Sequence, residues 1–350
     1  MKQRIDQLLA GYADGDAISQ EARFMRGILR DLGYESDIFV PEARIAPSVR
    51  DDCLTLDEFD ASIQKTTILH FSTRSQANEL YMQAGGRRIV RYHNITPAHY
   101  YAGFDDCITQ ELKDAQDELC EVIKVTDSCW SASAYNAEKL ELLGVKDSRV
   151  LPLMFSTNEF EASIDSGVMN EFDDDFSNWL FVGRIAPNKC IEELIESFGW
   201  YQTINPKSRL IIVGSVHGCP RYYAMLRLLV AQLDLRNVCF TGFVTNSARF
   251  SLYECADVFV TASRHEGYCL PLIEAMARKV PVVARQSGGM PEAMNGAGVA
   301  FDNLNPKELA LLIQRVLCDQ TLRDDVMQSQ QTRMREIDER DLKQEILNLL

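Results

Sequence analysis

The sequence predicts an α/β protein made of two doubly wound domains, and three observations predict it. Short apolar runs alternate with amphipathic stretches along the chain, the pattern of strands and helices around parallel sheets. The alternation breaks once, at the polar, acidic stretch "EASIDSGVMNEFDDDFSN", and then resumes. The 350 residues, 46% hydrophobic and 25% charged, also suit two globular domains better than one.

In the first series, strands are expected at "IDQLLA", "YESDIFV", "TTILHFS", "RRIVRYHN", "CWSAS" and "SRVLPLMF". A helix is expected over "SQEARFMRGILRDLG", where Phe24, Ile28 and Leu29 fall at helical spacing and Gly33 provides the stop. The second series places strands at "NWLFVGR", "SRLIIVGS", "NVCFTGFV", "DVFVTAS", "VPVVAR" and "GVAFD", with helices such as "RYYAMLRLLVAQLD" and "PKELALLIQRVLCD" between them. One polar helix closes the chain, from about Asp324 to Leu350. The expected domains are residues 1–158, a linker over 159–177, and residues 178–333. Both are Rossmann-like, facing across a cleft, with ligands beyond the carboxyl ends of the strands.

The formal charge of −15 is uneven. Residues 1–170 carry 17 basic and 28 acidic residues, net −11; residues 171–350 carry 19 and 23, net −4. That balance argues against nucleic acid as a partner and provides no general attraction to anionic lipid. The ten cysteines form no C-x-x-C pair and no cluster at metal-ligand spacing, so they read as small hydrophobes in a reducing compartment. The first residues, "MKQRIDQLLAGYADGD", lack a signal peptide's apolar core, and no stretch reaches the length of a membrane span. The expected location is cytoplasmic.

Two segments carry chemistry. In "NWLFVGRIAPNKCIEELIESF", a strand, a glycine turn and a helix place Arg184 and Lys189 in one loop, where they suit a multiply charged anion such as a diphosphate. Two solvated loop cations are the alternative. Ala186, Pro187 and Asn188 read as unremarkable members of a variable loop. In "DVFVTASRHEGYCLPLIEAMARK", the amides of Gly267, Tyr268, Cys269 and Leu270 open a helix at Pro271 and form a second anion cradle. Glu274 suits the hydroxyls of a ribose, or simply the positive end of the helix dipole. Glu266 lies in the loop, a partner for sugar hydroxyls or an exposed acid. An acid at either end of a phosphate cradle fits a nucleotide sugar.

"EGYCLPLIE", with Glu266 and Glu274 as an E-x7-E motif, resembles the signature of retaining glycosyltransferases of family 4, which have the GT-B fold. "VGRIAPNK" resembles that family's phosphate clamp, and the likeness extends over residues 178–320. "RYHNITPAHYYAGFD" and the first helix resemble the acceptor domain of bacterial members that build mannose-containing surface polysaccharides, and "REIDERDLKQEILNLL" resembles the family's C-terminal helix, which implies that a helix at 334–350 packs back on the first domain. The resemblance implies that Arg184 and Lys189 hold the donor diphosphate, Glu274 the ribose, Glu266 the donor sugar, and the backbone of Gly242, Phe243 and Val244 the base. It implies that His93 lies near the reacting centre, with a structural histidine as the alternative. Asp14-Gly15-Asp16 is a D-x-D, a metal signature in an unrelated glycosyltransferase fold; here its acids are expected on acceptor hydroxyls, with a solvated turn as the alternative, and without metal.

The implied activity is metal-independent, cofactor-free transfer of a hexose with retention. The donor is GDP-mannose by resemblance, then a UDP-hexose; the acceptor is a glycan or lipid-linked glycan, the latter bringing the protein to the inner face of the plasma membrane. A non-catalytic nucleotide-sugar-binding relative and a GT-B-fold epimerase or phosphorylase are the alternatives.

Overall fold

The structure is a computed structural model and describes residues 3–160, 164–216 and 219–350. The chain divides into two compact units. One comprises residues 1–98, 109–156 and 340–350, the other residues 99–108 and 157–339.

The first unit runs β1 (Ile5–Leu9), α1 (Ala17–Asp31), β2 (Ile38–Val40), β3 (Leu54–Thr55), β4 (Lys65–Phe71), α2 (Gln76–Gln83), β5 (Gly86–Tyr92), α3 (Asp106–Lys124, in this unit from Thr109), β6 (Ser128–Ser131), α4 (Ala134–Leu142) and β7 (Ser148–Val150). Its seven strands lie in the order β3-β2-β1-β4-β5-β6-β7, all parallel. Because strand side chains alternate, neighbouring residues feed opposite faces. Ile68 and Ile89 pack with Met25, Ile28 and Leu29 of α1. Leu69, Phe71, Val90 and Tyr92 pack on the other face with Tyr81, Ala115, Leu119 and Leu140. Each such Leu or Ile, withdrawn fully from water, contributes about 1.5–3 kcal/mol.

The second unit contains α5 (Ser166–Phe172), β8 (Ser177–Val182), α6 (Ile191–Ile204), β9 (Ser208–Val213), α7 (Pro220–Gln232), β10 (Val238–Gly242), α8 (Asn246–Glu254), β11 (Val258–Thr261), α9 (Leu270–Ala277), β12 (Val282–Arg285), α10 (Met290–Met294), β13 (Val299–Phe301), α11 (Pro306–Cys318) and α12 (Gln320–Asp338). Its parallel strands lie in the order β10-β9-β8-β11-β12-β13. The last helix, α13 (Leu342–Leu349), returns to the first unit, where Ile346 is fully buried and Arg340 donates to the carbonyls of Pro152 and Leu153.

Three boundaries differ from expectation. The acidic stretch is not featureless: the Asp165 carboxylate caps α5 by accepting from the amides of Gly167 and Val168, and Phe172 is buried. Residues 161–163 of the expected linker lie outside the described residues. The single closing helix is two helices, and the return to the first unit begins at Arg340 rather than 334. The two-residue strand β3 is too short to show a period, so nothing in the sequence marks it. No helix among the described residues is long and apolar enough to cross a membrane.

Gly214 directly follows β9 at φ +155°, with its amide donating to the carbonyl of Gly242. A Cβ there would lie 1.8 Å from the carbonyl oxygen of Gly183, so no other residue fits without moving the turn after β8. Gly214→Ala should lower the unfolding free energy by about 3 kcal/mol or more, read by urea denaturation, because both backbone strain and overpacking result.

Candidate functional site

In the second unit the strand order reverses between β8 and β11, which are hydrogen-bonded neighbours. Loops leaving the carboxyl ends of such a pair diverge to opposite faces of the sheet and leave a crevice between them. Arg184 and Lys189 lie in the loop after β8, and Glu266 lies in the loop after β11. The structure brings Lys189 and Glu266 together, Nζ to Oε1 at 2.5 Å, with side chains only 13% and 12% exposed. Each charge is withdrawn from water and each needs the other, so removing one leaves its partner uncompensated. Arg184 is exposed.

The two loops are fastened by their backbones. The Arg264 amide donates to the carbonyl of Asn188 at 2.9 Å, and Asn188 Nδ2 donates to the carbonyl of His265 at 3.0 Å. Asn188 is 2% exposed, so it is a structural tie rather than an unremarkable loop residue. On the other side, Ser287 Oγ donates to the carbonyl of Arg264 at 2.5 Å and the Gly289 amide to that of Glu266 at 2.9 Å. Gly288 adopts φ +59°, and a Cβ on it would stand 2.3 Å from the Glu266 carbonyl oxygen. Only glycine accepts both that dihedral and that approach. Ser287, Gly288 and Gly289 belong to no expected site; the Gly-Gly pair two residues beyond β12 is the signal that marks them.

Beyond Glu266, Cys269 takes a left-handed conformation, φ 75°, and α9 begins at Leu270 with Pro271 in its first turn. Gly267 is half-buried, as is Cys269, while Tyr268 and Leu270 are buried. Glu274 lies in the second half of α9 and is 2% exposed. Its two oxygens have partners: Arg249 Nη2 lies 3.1 Å from Oε1, and the Tyr253 hydroxyl donates to Oε2 at 2.9 Å. Burial pushes the Glu274 carboxyl above its usual range, opposed by the charge of Arg249 and the bond from Tyr253. Arg249 and Tyr253 stand one turn apart on α8 and thus reach the same carboxylate. A ribose at Glu274 would have to share it with them. At the end of β10, Gly242 has φ 71° and Phe243 is 74% exposed.

In the first unit, Asp14 and Asp16 are exposed and follow β1. The Asp16 carboxylate is taken by the helix start: Ser19 donates its amide at 2.8 Å and its hydroxyl at 2.7 Å. Asp14 Oδ1 faces Arg23 Nη2 at 3.9 Å, and Gly15 between them has φ 74°. His93 follows β5 and belongs to a buried set. His70 Nδ1 lies 2.9 Å from His93 Nε2, His70 Nε2 2.9 Å from Gln7 Oε1, and His93 Nδ1 3.6 Å from Glu21 Oε2. Arg91 donates to both oxygens of Glu21, at 2.6 and 3.2 Å, and to the carbonyl of Leu151 at 2.6 Å. Glu21, His70 and His93 offer ligand-type atoms within 4.8 Å of one another; both ring nitrogens of His70 are engaged, by His93 and Gln7, and both oxygens of Glu21 accept from Arg91.

Burial, with the charge of Arg91, lowers the His70 pKa to about 3. The unfolded chain, whose histidines titrate near the ordinary value, therefore binds more protons than the fold below about pH 6.5, and stability falls as pH falls through that window. Between about pH 6.5 and about pH 5 the loss from His70 should be about 2 kcal/mol. Urea midpoints across this range test it, and a flat profile would contradict it.

Residues 169–333 match the family of Glycosyl transferases group 1. The chain is 33% identical over 219 residues to an uncharacterized glycosyltransferase of Methanocaldococcus jannaschii, a match covering 59% of this chain and 53% of that protein. It is 36% identical over 109 residues to the GDP-mannose-dependent alpha-mannosyltransferase of Mycolicibacterium smegmatis, covering 31% of this chain and 25% of that one. The matches thus span about half or less of the length of these curated relatives. Among solved structures, that of Anabaena HepE in complex with UDP and glucose aligns over 99% of both chains with a TM-score of 0.72 at 17% identity, a likeness of fold. With its β8–β11 crevice and the Lys189–Glu266 pair inside it, the stretch of residues 169–333 is a group 1 glycosyl transferase domain, carried by a chain of two Rossmann-like units in the GT-B fold.

Proposed function

We propose that the protein is a retaining, metal-independent glycosyltransferase that moves a hexose from a nucleotide sugar to a glycan or lipid-linked glycan hydroxyl. The observation that carries this proposal is the Lys189–Glu266 contact at the point where the strand order reverses, inside the matched domain. It sets a phosphate-binding type of cation directly beside a sugar-binding type of carboxylate. The names of relatives support a nucleotide-sugar donor, since one is a GDP-mannose-dependent mannosyltransferase. GDP-mannose is the favoured donor. A UDP-hexose is second, supported by the structure bound to UDP and glucose.

In this proposal the reacting sugar passes through an oxocarbenium-like state while negative charge grows on the leaving phosphate. Lys189 and the exposed Arg184 stabilise that charge, and the leaving oxygen takes the proton of the acceptor hydroxyl. Glu266, held by Lys189 and by the Gly289 amide, orients the sugar hydroxyls. The exposed ring of Phe243 adds an aromatic face at the strand end where the base is expected. The diphosphate needs no protein-bound metal if these cations meet it, and no cofactor takes part. The protein acts in the cytoplasm, in bacterial surface-polysaccharide synthesis, reaching the inner membrane face through its acceptor.

A thermal-shift screen over GDP, UDP and their sugars tests the donor assignment, because a ligand that binds only the folded state raises the apparent melting temperature. GDP and GDP-mannose should give the largest shifts, and no shift with any nucleotide would refute the proposal. Lys189→Ala and Glu266→Ala should each reduce kcat/KM by about 30-fold or more, equivalent to about 2 kcal/mol of transition-state stabilisation. Unchanged turnover in either variant would remove that residue from its assigned role.

A further inference from the structure

The buried polar groups around His93 determine which atoms carry protons. Gln7 Nε2 donates to the carbonyl of Ala22 at 3.1 Å, so Gln7 presents its Oε1 to His70 Nε2, which must carry the hydrogen. A neutral His70 then has a bare Nδ1, and that atom accepts from His93 Nε2 at 2.9 Å. His93 Nδ1 is left as the unprotonated nitrogen, 3.6 Å from Glu21 Oε2. Glu21 in turn accepts from Arg91 and from the Met154 amide at 3.0 Å. Neither ring nitrogen of His93 points to solvent, and its side chain is 4% exposed.

The charged and titratable groups facing that ring are Glu21 from α1, His70 from β4 and Arg91 from β5. Glu21 favours a proton on Nδ1, whereas burial, His70 and Arg91 oppose one and hold the His93 pKa well below its usual value. The turn that His93 begins is pinned at several points. Its amide donates to the carbonyl of Phe71 at 2.9 Å, Asn94 has φ 80°, the Ile95 amide donates to the Tyr92 hydroxyl at 3.2 Å, and Lys139 donates to Asn94 Oδ1 at 3.3 Å.

We propose that His93 is a positioning residue, locked as the Nε2–H tautomer by Gln7 and His70, which anchors the turn after β5 and neither gives nor takes a proton in turnover. The turnover arm of its test rests on the transferase function proposed above; the tautomer arm does not. Glutamine can offer one N–H to His70 but has no ring to titrate, whereas leucine can offer nothing. His93→Gln should retain kcat within about threefold, with an unchanged pH profile, where loss of a general base would lower it about 100-fold or more. His93→Leu should lower kcat at least about tenfold while nucleotide-induced thermal shifts persist, the loss coming from misplacement alone. Equal damage from Gln and Leu, or loss of a limb of the pH profile in His93→Gln, would overturn the proposal.

Nitrogen-15 NMR of the unsubstituted protein decides it without turnover. One His93 signal pattern of the Nε2–H form should persist from about pH 8 to about pH 6. An Nδ1–H form, or titration of His93 within that range, would overturn it. If no donor is turned over, the function proposal fails, and the NMR result still stands for or against the tautomer.

Discussion

The contact between Lys189 and Glu266 rests on backbone and side-chain ties from three loops of the second unit. Two loops from adjacent strands meet there, and each is held by backbone bonds that leave little room to move. Asn188 ties the loops from one side; Ser287, Gly288 and Gly289 hold the Glu266 loop from the other. The close approach of Gly214 to Gly183 fixes the turn from which the lysine loop starts. Two opposite charges buried to this degree are stable only when their geometry is held, because the attraction must offset the water both have lost. The scaffold itself provides that hold.

The same rule governs the other buried charges. Glu274 is matched by Arg249 and Tyr253, and Glu21 by Arg91 and the Met154 amide. Each acid lies on a helix and is met by a cation from a neighbouring element, so the polar groups fasten helix to helix or helix to sheet. In the first unit the set extends through His70 to Gln7 and joins β1, β4, β5 and α1. Such networks define one arrangement of their elements, since a shift by one residue would leave a charge unpaired in the interior.

Much of the architecture is legible in the chain. Strands buried on both faces read as apolar runs, and the helices between them show their stripe, so both series of strand and helix appear in order. Legibility fails where an element is short or its stabilising groups are local: β3 has two residues, α5 rests on the Asp165 cap and the burial of Phe172, and α12 stops one turn short of α13 within a uniformly polar stretch. Among the candidate site residues, Arg184, Lys189, Glu266 and Glu274 stand out by type and spacing. Asn188 does not, because its importance lies in two bonds to a loop 77 residues away.

The sequence by itself determined the alternation of strands and helices, the two series, and which loops carry charged groups suited to phosphate and sugar, since these follow from local periodicity and from the chemistry of single side chains. Tertiary structure alone decided the pairings: Lys189 with Glu266, Glu274 with Arg249 and Tyr253, and the ring nitrogens of His93 turned to His70 and Glu21. The physical reason is that the partner of a buried charge is whatever group the strand order brings within about 3 Å of it, and strand order joins segments far apart in the chain.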